Sequence, residues 1–448
     1  MRLSELARRT GGSLVGQDQE FTGFALDNRE AHPGLVFVAI KGNRVDGHDY
    51  ADSAAALGAV AALVERPVGG THILVPNVVE ALGKLGRSLR EEFSGPVVGI
   101  TGSNGKTTAK EMVAAALSPL GLVLKNVGNQ NSEFTSPLTW FGLTPEHKSA
   151  VIEMGMRGLD QIRHLAEISK PNLGLITMIG SAHIEMVGSR QGIADAKAEL
   201  FESLPSDGVA HLWADDEFAG YLRSKAPCRV RTFGAGPDAD MRLVGYKALG
   251  VDRCEARLSL GSWNSTIELP TVGRHQALNA AAALLVADSA NVPLAQTAEA
   301  LTQVQLPAMR MEIVRQGGAT IMLDTYNASP DSMVAAIRTL SELPCEGRRV
   351  AIIGEMKELG SVSELGHRRV GREISISPID ELVLYGEETR FIAEEAKQGG
   401  FAASRIKVAT RIDEVRAIVA SLFDGDLALI KGSRALELER ALNQGATK

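Results

Sequence analysis

A lysine, two threonines and two glycines stand at fixed spacing in Gly99-Ile100-Thr101-Gly102-Ser103-Asn104-Gly105-Lys106-Thr107-Thr108. These residue types suit a bound polyphosphate. Gly102 and Gly105 let the backbone turn tightly and bring its N–H groups close to an anion. The Lys106 ammonium can reach the outer phosphates, and the Thr107 hydroxyl can ligate Mg²⁺. Ser103, Asn104 and Thr108 complete the loop. The full eight-residue form of this motif has glycine where Ile100 stands, so what remains is Gly-x-x-Gly-Lys-Thr-Thr. The plainer alternative is a helix start that happens to follow a glycine turn. The flanking elements favour phosphate. Pro96 to Ile100 is apolar and β-branched and reads as a buried strand. Ala109 to Leu117 puts Met112, Val113, Ala116 and Leu117 on one helical face. In a strand–loop–helix of this kind the loop amides and the positive helix end converge on one spot.

Three more residues could act on that phosphate. Glu153 follows the apolar run Ala150-Val151-Ile152, and His183 follows Leu173 to Ile179 through Gly180-Ser181-Ala182. In an open parallel sheet, ligands sit beyond the carboxyl ends of the strands, where a carboxylate and an imidazole could hold Mg²⁺. Each taken alone is equally an ordinary cap or surface group. Lys197 lies in the predicted helix Arg190 to Leu204, on the stripe of Ile193, Ala196, Leu200, Phe201 and Leu204. A lysine there either snorkels to water, which is the usual outcome, or is desolvated and so has a reactive neutral amine.

The elements that must hold these residues belong to a large α/β chain. Its 448 residues correspond to about three domains at ~150 residues each. The composition, 44% hydrophobic and 23% charged, is enough for several cores. Acidic residues outnumber basic ones, 54 to 47, which argues against a nucleic-acid binder and leaves room for local anion pockets. Cys228, Cys254 and Cys345 are odd in number and widely spaced, as in a reducing compartment. The N-terminal residues carry no signal-peptide pattern, and the longest uncharged apolar stretch, Ala54 to Val64, is too short to span a bilayer. The expectation is a cytoplasmic, monomeric protein with no nucleic-acid partner and no membrane span.

Domain limits are expected at 1–93, 94–308 and 309–448, with a junction at Phe93-Ser94-Gly95-Pro96. The first part mixes strands (Leu35 to Ile40, Ile73 to Val75) with a helix over Asn77 to Glu92, capped by Asn77. Its polar run Lys41-Gly42-Asn43-Arg44-Val45-Asp46-Gly47-His48 reads, on the residues alone, as a solvated loop. The middle part is a mononucleotide-binding domain on a mostly parallel sheet. The last part alternates strands (Thr320 to Asp324, Arg349 to Ile353, Glu381 to Tyr385, Ile406 to Ala409, Asp426 to Ile430) with helices such as Asp331 to Leu343 and Ile412 to Phe423. That pattern predicts a parallel Rossmann-like sheet. Without Gly-x-Gly-x-x-Gly after its first strand, a dinucleotide is not expected there.

Taken in order, these stretches carry a resemblance. To the phosphate loop, Glu153-Met154-Gly155-Met156, Ala182-His183-Ile184-Glu185 and Ala196-Lys197-Ala198-Glu199 are added others. They are Gly128-Asn129-Gln130-Asn131, Gly273-Arg274-His275-Gln276 with Asn279, Arg310-Met311-Glu312, Asp324-Thr325-Tyr326-Asn327-Ala328-Ser329-Pro330, Glu355-Met356-Lys357-Glu358-Leu359-Gly360 and Lys431-Gly432-Ser433-Arg434. The chain resembles the ATP-dependent Mur ligases, which extend the peptide of the peptidoglycan precursor. The Tyr-Asn-Ala and Glu-Leu-Gly stretches are most similar to the branch that adds D-alanyl-D-alanine to UDP-N-acetylmuramoyl-tripeptide.

The resemblance implies a substrate carboxylate activated by ATP as an acyl phosphate and captured by the dipeptide amine. It implies Thr107 and Glu153 on one Mg²⁺, His183 on a second, Lys106 on the transferring phosphoryl, and Lys197 as a carbamate supporting the second metal. His275 and Asn279 would face adenine, Arg310 the phosphates and Asp324 the ribose. Asn129 and Asn131 would lie near the muramoyl-peptide carboxylate. Asp27, Arg29 and the residues Lys41, Gly42, Asn43, Arg44, Asp46 and His48 would hold the uridine diphosphate, so the first domain would bind a uridine nucleotide. Tyr326 and Asn327 would meet the dipeptide. Asn28, Ser132, Trp213, Gln276, Leu323 and Ser329 depart from the family pattern, and none is a proposed metal or phosphate group. Two other functions share these motifs: a relative adding a different amino acid, and a non-catalytic protein that grips a sugar nucleotide.

Overall fold

The computed structural model describes residues 1–42, 45–182 and 184–442. The chain divides into two compact units: 1–99 with 121–156 and 160–172, and 100–120 with 157–159 and 173–448. Among the described residues the strands form three sheets.

In the first unit a five-stranded sheet runs in the order Ser13–Val15, His72–Leu74, Ala61–Val64, Leu35–Val38, Gly23–Ala25. Only its Ser13–Val15 edge is antiparallel. The Val78–Arg90 helix begins where expected, because the Asn77 side chain accepts from the Glu80 N–H. Gly86 lets this helix approach closely, since a Cβ there would lie 3.0 Å from Ile168 and Pro137. Phe21 stacks on Phe141 at 5.2 Å. Arg90 donates to the Ser169 carbonyl at 2.7 Å and lies over the Trp140 ring.

In the second unit the Leu173–Ile176 strand pairs in parallel with Val209–Trp213, which pairs with Arg229–Gly234. The sheet then becomes an antiparallel meander of Met241–Ala248, Cys254–Leu260 and Trp263–Leu269 that the sequence reading did not anticipate. Below it the Lys106–Leu117 and Arg274–Ser289 helices pack together. The second is buried nearly all round, and its alanines at 277, 280–283 and 287 permit the close approach.

The last sheet has the order Glu312–Gln316, Ala319–Asp324, Leu427–Lys431, Arg349–Gly354, Glu381–Tyr385, Ile406–Ala409. Five of its strands are the parallel ones expected. The sixth is an antiparallel hairpin closed by Gly317 and Gly318, both at positive φ.

His211 is fully buried on the Val209–Trp213 strand. Its Nδ1 donates to the Gly174 carbonyl at 2.9 Å and its Nε2 faces the Ser289 hydroxyl at 2.8 Å. Burial lowers its pKa from 6.5 to about 4. Between those values the unfolded chain binds a proton that the native ring refuses, so stability falls as pH drops through this window. Urea titrations from pH 7 to 4 should show a loss of roughly 3 kcal/mol from this group. His211→Gln should flatten that slope; an unaltered slope in the variant would refute the assignment.

Candidate functional site

The phosphate loop is assembled by bonds that no local rule supplies. Gly102 has φ +149°, and a Cβ there would lie 1.8 Å from Thr177 Oγ1, so the position admits no side chain. That hydroxyl donates to the Asn104 carbonyl at 2.6 Å. The Ser103 N–H donates to the Met178 carbonyl, and Ser103 Oγ accepts from the Gly180 N–H at 2.9 Å. Gly105, at φ +81°, caps the Lys106–Leu117 helix, and Asn279 lies against it: a Cβ on Gly105 would be 3.2 Å from Asn279 Oδ1. Asn279 in turn donates to Gln276 Oε1 at 3.1 Å. Thr107 and Thr108 are buried in the first helical turn. Lys106 Nζ donates to the Gly102 carbonyl at 2.7 Å and the Ser103 carbonyl at 3.4 Å, so the cation curls over its own loop.

Lys197 does not snorkel. It is 1% exposed in the Arg190–Glu202 helix, which starts at Ser189 with its side chain accepting from the Gly192 N–H. Burial drives its pKa well below the usual lysine value, and the nearby Lys106 charge lowers it further against a smaller opposing effect of Glu199. The helix stripe therefore places a desolvated amine, its pKa held well below the usual lysine value, within the electrostatic reach of the phosphate-loop lysine.

The C-terminal segment reaches the same loop. Arg310 Nη2 donates to Thr107 Oγ1 at 2.9 Å, and its guanidinium lies 4.0 Å from the centre of the Tyr326 ring. Met309 and Met311 on either side of it have φ of +59° and +56°, a left-handed backbone that costs energy in a residue with a Cβ. Ser329 Oγ donates to Asn104 Oδ1 at 2.9 Å. Lys431, 2% exposed, bonds Asp324 Oδ2 at 2.6 Å and the Asn327 carbonyl at 2.9 Å. The Asn327 side chain accepts from the Ala328 N–H. His275 is half-buried, and desolvation lowers its pKa from 6.5 to about 4 against the pull of Asp324. Arg310, Tyr326, Asp324, Asn327 and His275 thus fall in the same unit as Lys106, Thr107 and Lys197.

Glu153 and Asn131 fall in the other unit. Glu153 is 1% exposed at the end of the His147–Glu153 strand. Asn131 Nδ2 donates to Glu153 Oε1 at 2.7 Å, and the Glu153 N–H donates to Asn126 Oδ1 at 2.6 Å. Asn131 therefore orients this carboxylate. Asn129 is exposed, and its carbonyl accepts from the Asn131 N–H.

In the first domain Asp27 accepts from the Arg29 N–H and pairs with its guanidinium. That pairing lowers the Asp27 pKa to about 2. Lys41 and Asp46 pair through their backbones in an isolated antiparallel β-bridge, and the Gly42 N–H donates to the Val45 carbonyl. The reading of this run as a solvated loop fails at His48. Its ring is buried, with Nδ1 2.6 Å from Asp46 Oδ1 and Nε2 accepting from the Glu65 N–H at 2.8 Å. Asp46 also caps the turn through the His48 N–H, so a short Asx turn pulls the imidazole inward. Asn43, Arg44 and His183 lie outside the described residues.

Sequence reasoning gave no role to Lys431, Asp331 or Asn126. Lys431 and Glu153 share a legible signal, a charged residue ending an apolar strand; Asp331 and Asn126 have none. Among the described residues no group of three or more His, Cys, Asp or Glu gathers as a metal site. The available donors near a nucleotide are a hydroxyl, carboxylates and amides. These are hard oxygen ligands of the kind that suits Mg²⁺.

A phosphate loop opening a buried helix, a desolvated lysine beside it and a second α/β layer closing onto it define a nucleotide-dependent group-transfer enzyme of the α/β class. Residues 20–88 match the Mur ligase family catalytic domain, 100–287 the Mur ligase middle domain and 309–434 the Mur ligase glutamate ligase domain. The UDP-N-acetylmuramoyl-tripeptide–D-alanyl-D-alanine ligase of Bacillus subtilis is 33% identical over 98% of this chain and 96% of its own. A crystal structure of MurF from Acinetobacter baumannii superposes with TM-score 0.87 at 30% identity, covering 98% of this chain and 97% of that one. MurF from Thermotoga maritima in complex with ADP gives 0.81 at 30% identity, over 94% and 96%. The chain belongs to the Mur ligase family, within its UDP-N-acetylmuramoyl-tripeptide–D-alanyl-D-alanine ligase branch.

Proposed function

We propose that the protein binds ATP and joins D-alanyl-D-alanine to UDP-N-acetylmuramoyl-tripeptide. The observation that carries this reading is Lys197, buried on its helix at 1% exposure, where it feels the charge of Lys106 in the phosphate loop. In the first step a carboxylate oxygen of the tripeptide attacks the γ-phosphorus of ATP and ADP leaves. In the second the dipeptide amine attacks the acyl carbon, loses a proton, and phosphate departs as the amide forms. Two anions must meet before the first step, so the site must supply positive charge that is already in place.

Lys106 gives up its bonds to the neutral Gly102 and Ser103 carbonyls for the more strongly accepting γ-phosphate. Arg310 lies against Thr107 and reaches the phosphates from the C-terminal side. Thr107 and Glu153 would hold one Mg²⁺ and His183 a second, while Asn131 orients the Glu153 carboxylate. Bound Mg²⁺ supplies charge neutralisation between carboxylate and phosphate. The Lys197 amine, whose pKa burial holds well below the usual lysine value, would add to CO₂ with loss of a proton, and the resulting carbamate would support the second metal.

Asn279 and His275 face the adenine, Asp324 the ribose, and Tyr326 and Asn327 the dipeptide. Asn129 lies near the muramoyl-peptide carboxylate. Asp27, Arg29 and the Lys41 to His48 run take the uridine diphosphate; the His48 ring nitrogens are engaged, leaving its role to shaping the loop. Domain limits at 1–93, 94–308 and 309–448 divide these tasks. Phosphate release measured with each substrate omitted in turn tests the reading. Release is expected only when ATP, the UDP-muramoyl-tripeptide and D-alanyl-D-alanine are all present; release without the dipeptide or the tripeptide would exclude it.

A further inference from the structure

The loop that leads from the Leu173–Ile176 strand to His183 is held from two sides. On one, Ser103 Oγ of the phosphate loop accepts from the Gly180 N–H at 2.9 Å. On the other stands Asp331, in the first turn of the Pro330–Glu342 helix. Asp331 Oδ2 accepts from the Ser181 N–H at 3.1 Å and from the Ser181 hydroxyl at 3.3 Å. Its Oδ1 accepts from Arg369 Nη1 at 2.6 Å, so the carboxylate is fixed from its own domain. The approach is close enough to dictate the neighbouring residue, because a Cβ on Gly180 would lie 2.5 Å from Asp331 Oδ2. The same helix start docks Ser329 on Asn104 of the phosphate loop.

We infer that Asp331 is a positioning residue for the ligase reaction: it locks the Gly180–Ala182 loop in place when the C-terminal segment is seated on the phosphate loop. Seating and loop ordering are then one event. Without the carboxylate, the Ser181 N–H loses its acceptor, and the loop is left with Ser103 at Gly180 and with Asp216 and Arg190 at Ile179, none of which holds Ser181. Asp331 need not touch a reactant for this, and Arg369 acts only by holding Asp331. The rate arm of the test rests on the proposed ligase activity; the exchange arm does not.

The experiment compares Asp331→Ala, Asp331→Asn and Arg369→Met with the parent protein by amide hydrogen exchange without substrates and by steady-state kinetics. In Asp331→Ala, exchange across Ile179 to Ala182 should accelerate about tenfold to a hundredfold, as expected for loss of a hydrogen bond to a charged acceptor. Exchange in the Leu173–Ile176 strand should not change, which shows that the variant is folded. Its kcat should fall about tenfold or more while KM for ATP stays within about twofold, since alignment rather than nucleotide binding is lost. Asp331→Asn retains an acceptor oxygen and should recover most of both effects, and Arg369→Met should show a weaker version of each. Unchanged exchange across Ile179 to Ala182 in folded Asp331→Ala overturns the inference, as does accelerated exchange with unchanged kcat. A parent protein that shows no substrate-dependent phosphate release defeats the ligase reading instead and leaves the exchange result to stand by itself.

Discussion

Lys197→Met lowers turnover by about 10²–10³-fold, and short carboxylic acids such as formate or acetate restore part of it. The size follows from removing one preorganised charge-stabilising group from a water-poor site. Methionine is an unbranched apolar chain of similar length, suited to a buried position on a helix whose Ile193, Ala196, Leu200 and Phe201 are also buried, so the helix keeps its packing. The variant loses the amine, and with it the carbamate that the amine would form. A small free carboxylate is the same kind of anion and fits the space vacated by the ammonium end. ATP affinity should stay near the parent value, because Lys197 is not a ligand of the phosphates. The measurement is phosphate release against acid concentration with both substrates saturating. Full activity in the variant would remove the proposed carbamate. Lost ATP binding with the fold intact would favour a binding protein whose lysine acts on nucleotide directly.

Lys106→Gln is expected to be as severe, about 10³-fold in kcat/KM, for two reasons that act together. The first is direct loss of a cation on the transferring phosphoryl. The second is indirect. The Lys106 charge is, after burial, the second cause that lowers the Lys197 pKa. When it is removed the Lys197 pKa rises, and a protonated amine cannot take up CO₂. The response of Lys106→Gln to raised bicarbonate should therefore climb more steeply with pH than the parent's, because raising pH restores the amine that takes up CO₂. Lys106→Arg keeps the charge and should keep the Lys197 pKa lowered even where phosphoryl transfer is slowed. Rates of the Gln variant at several pH values, at fixed high bicarbonate, measure this; a pH profile parallel to the parent's would show that the two lysines act independently.

The parts of the molecule that could be read from the chain are those set within a few residues. Asn77 caps its helix because the donor it serves lies three residues on. Ser189 and Ser329 cap theirs in the same way. The parallel strands of the last sheet showed because buried strands are continuous apolar runs. The Gly317-Gly318 turn is set just as locally, by two glycines free to take positive φ. The meander from Met241 to Leu269 was harder, since its strands are half exposed and irregular in their alternation.

By itself the sequence determined the phosphate loop, the strand and helix on either side of it, and the set of residue types needed for a ligase. These depend on backbone freedom at Gly102 and Gly105 and on local periodicity, which any short window contains. Only the tertiary structure decided that Lys197 is buried rather than snorkelling, because helical spacing names a face without saying what covers it. It also decided which distant groups meet. Arg310 reaches Thr107 across 203 residues, Asp331 reaches Ser181 across 150 and Lys431 reaches Asp324 across 107. Such pairs are selected by how whole sheets and helices pack to bury apolar surface, and no local propensity carries that information.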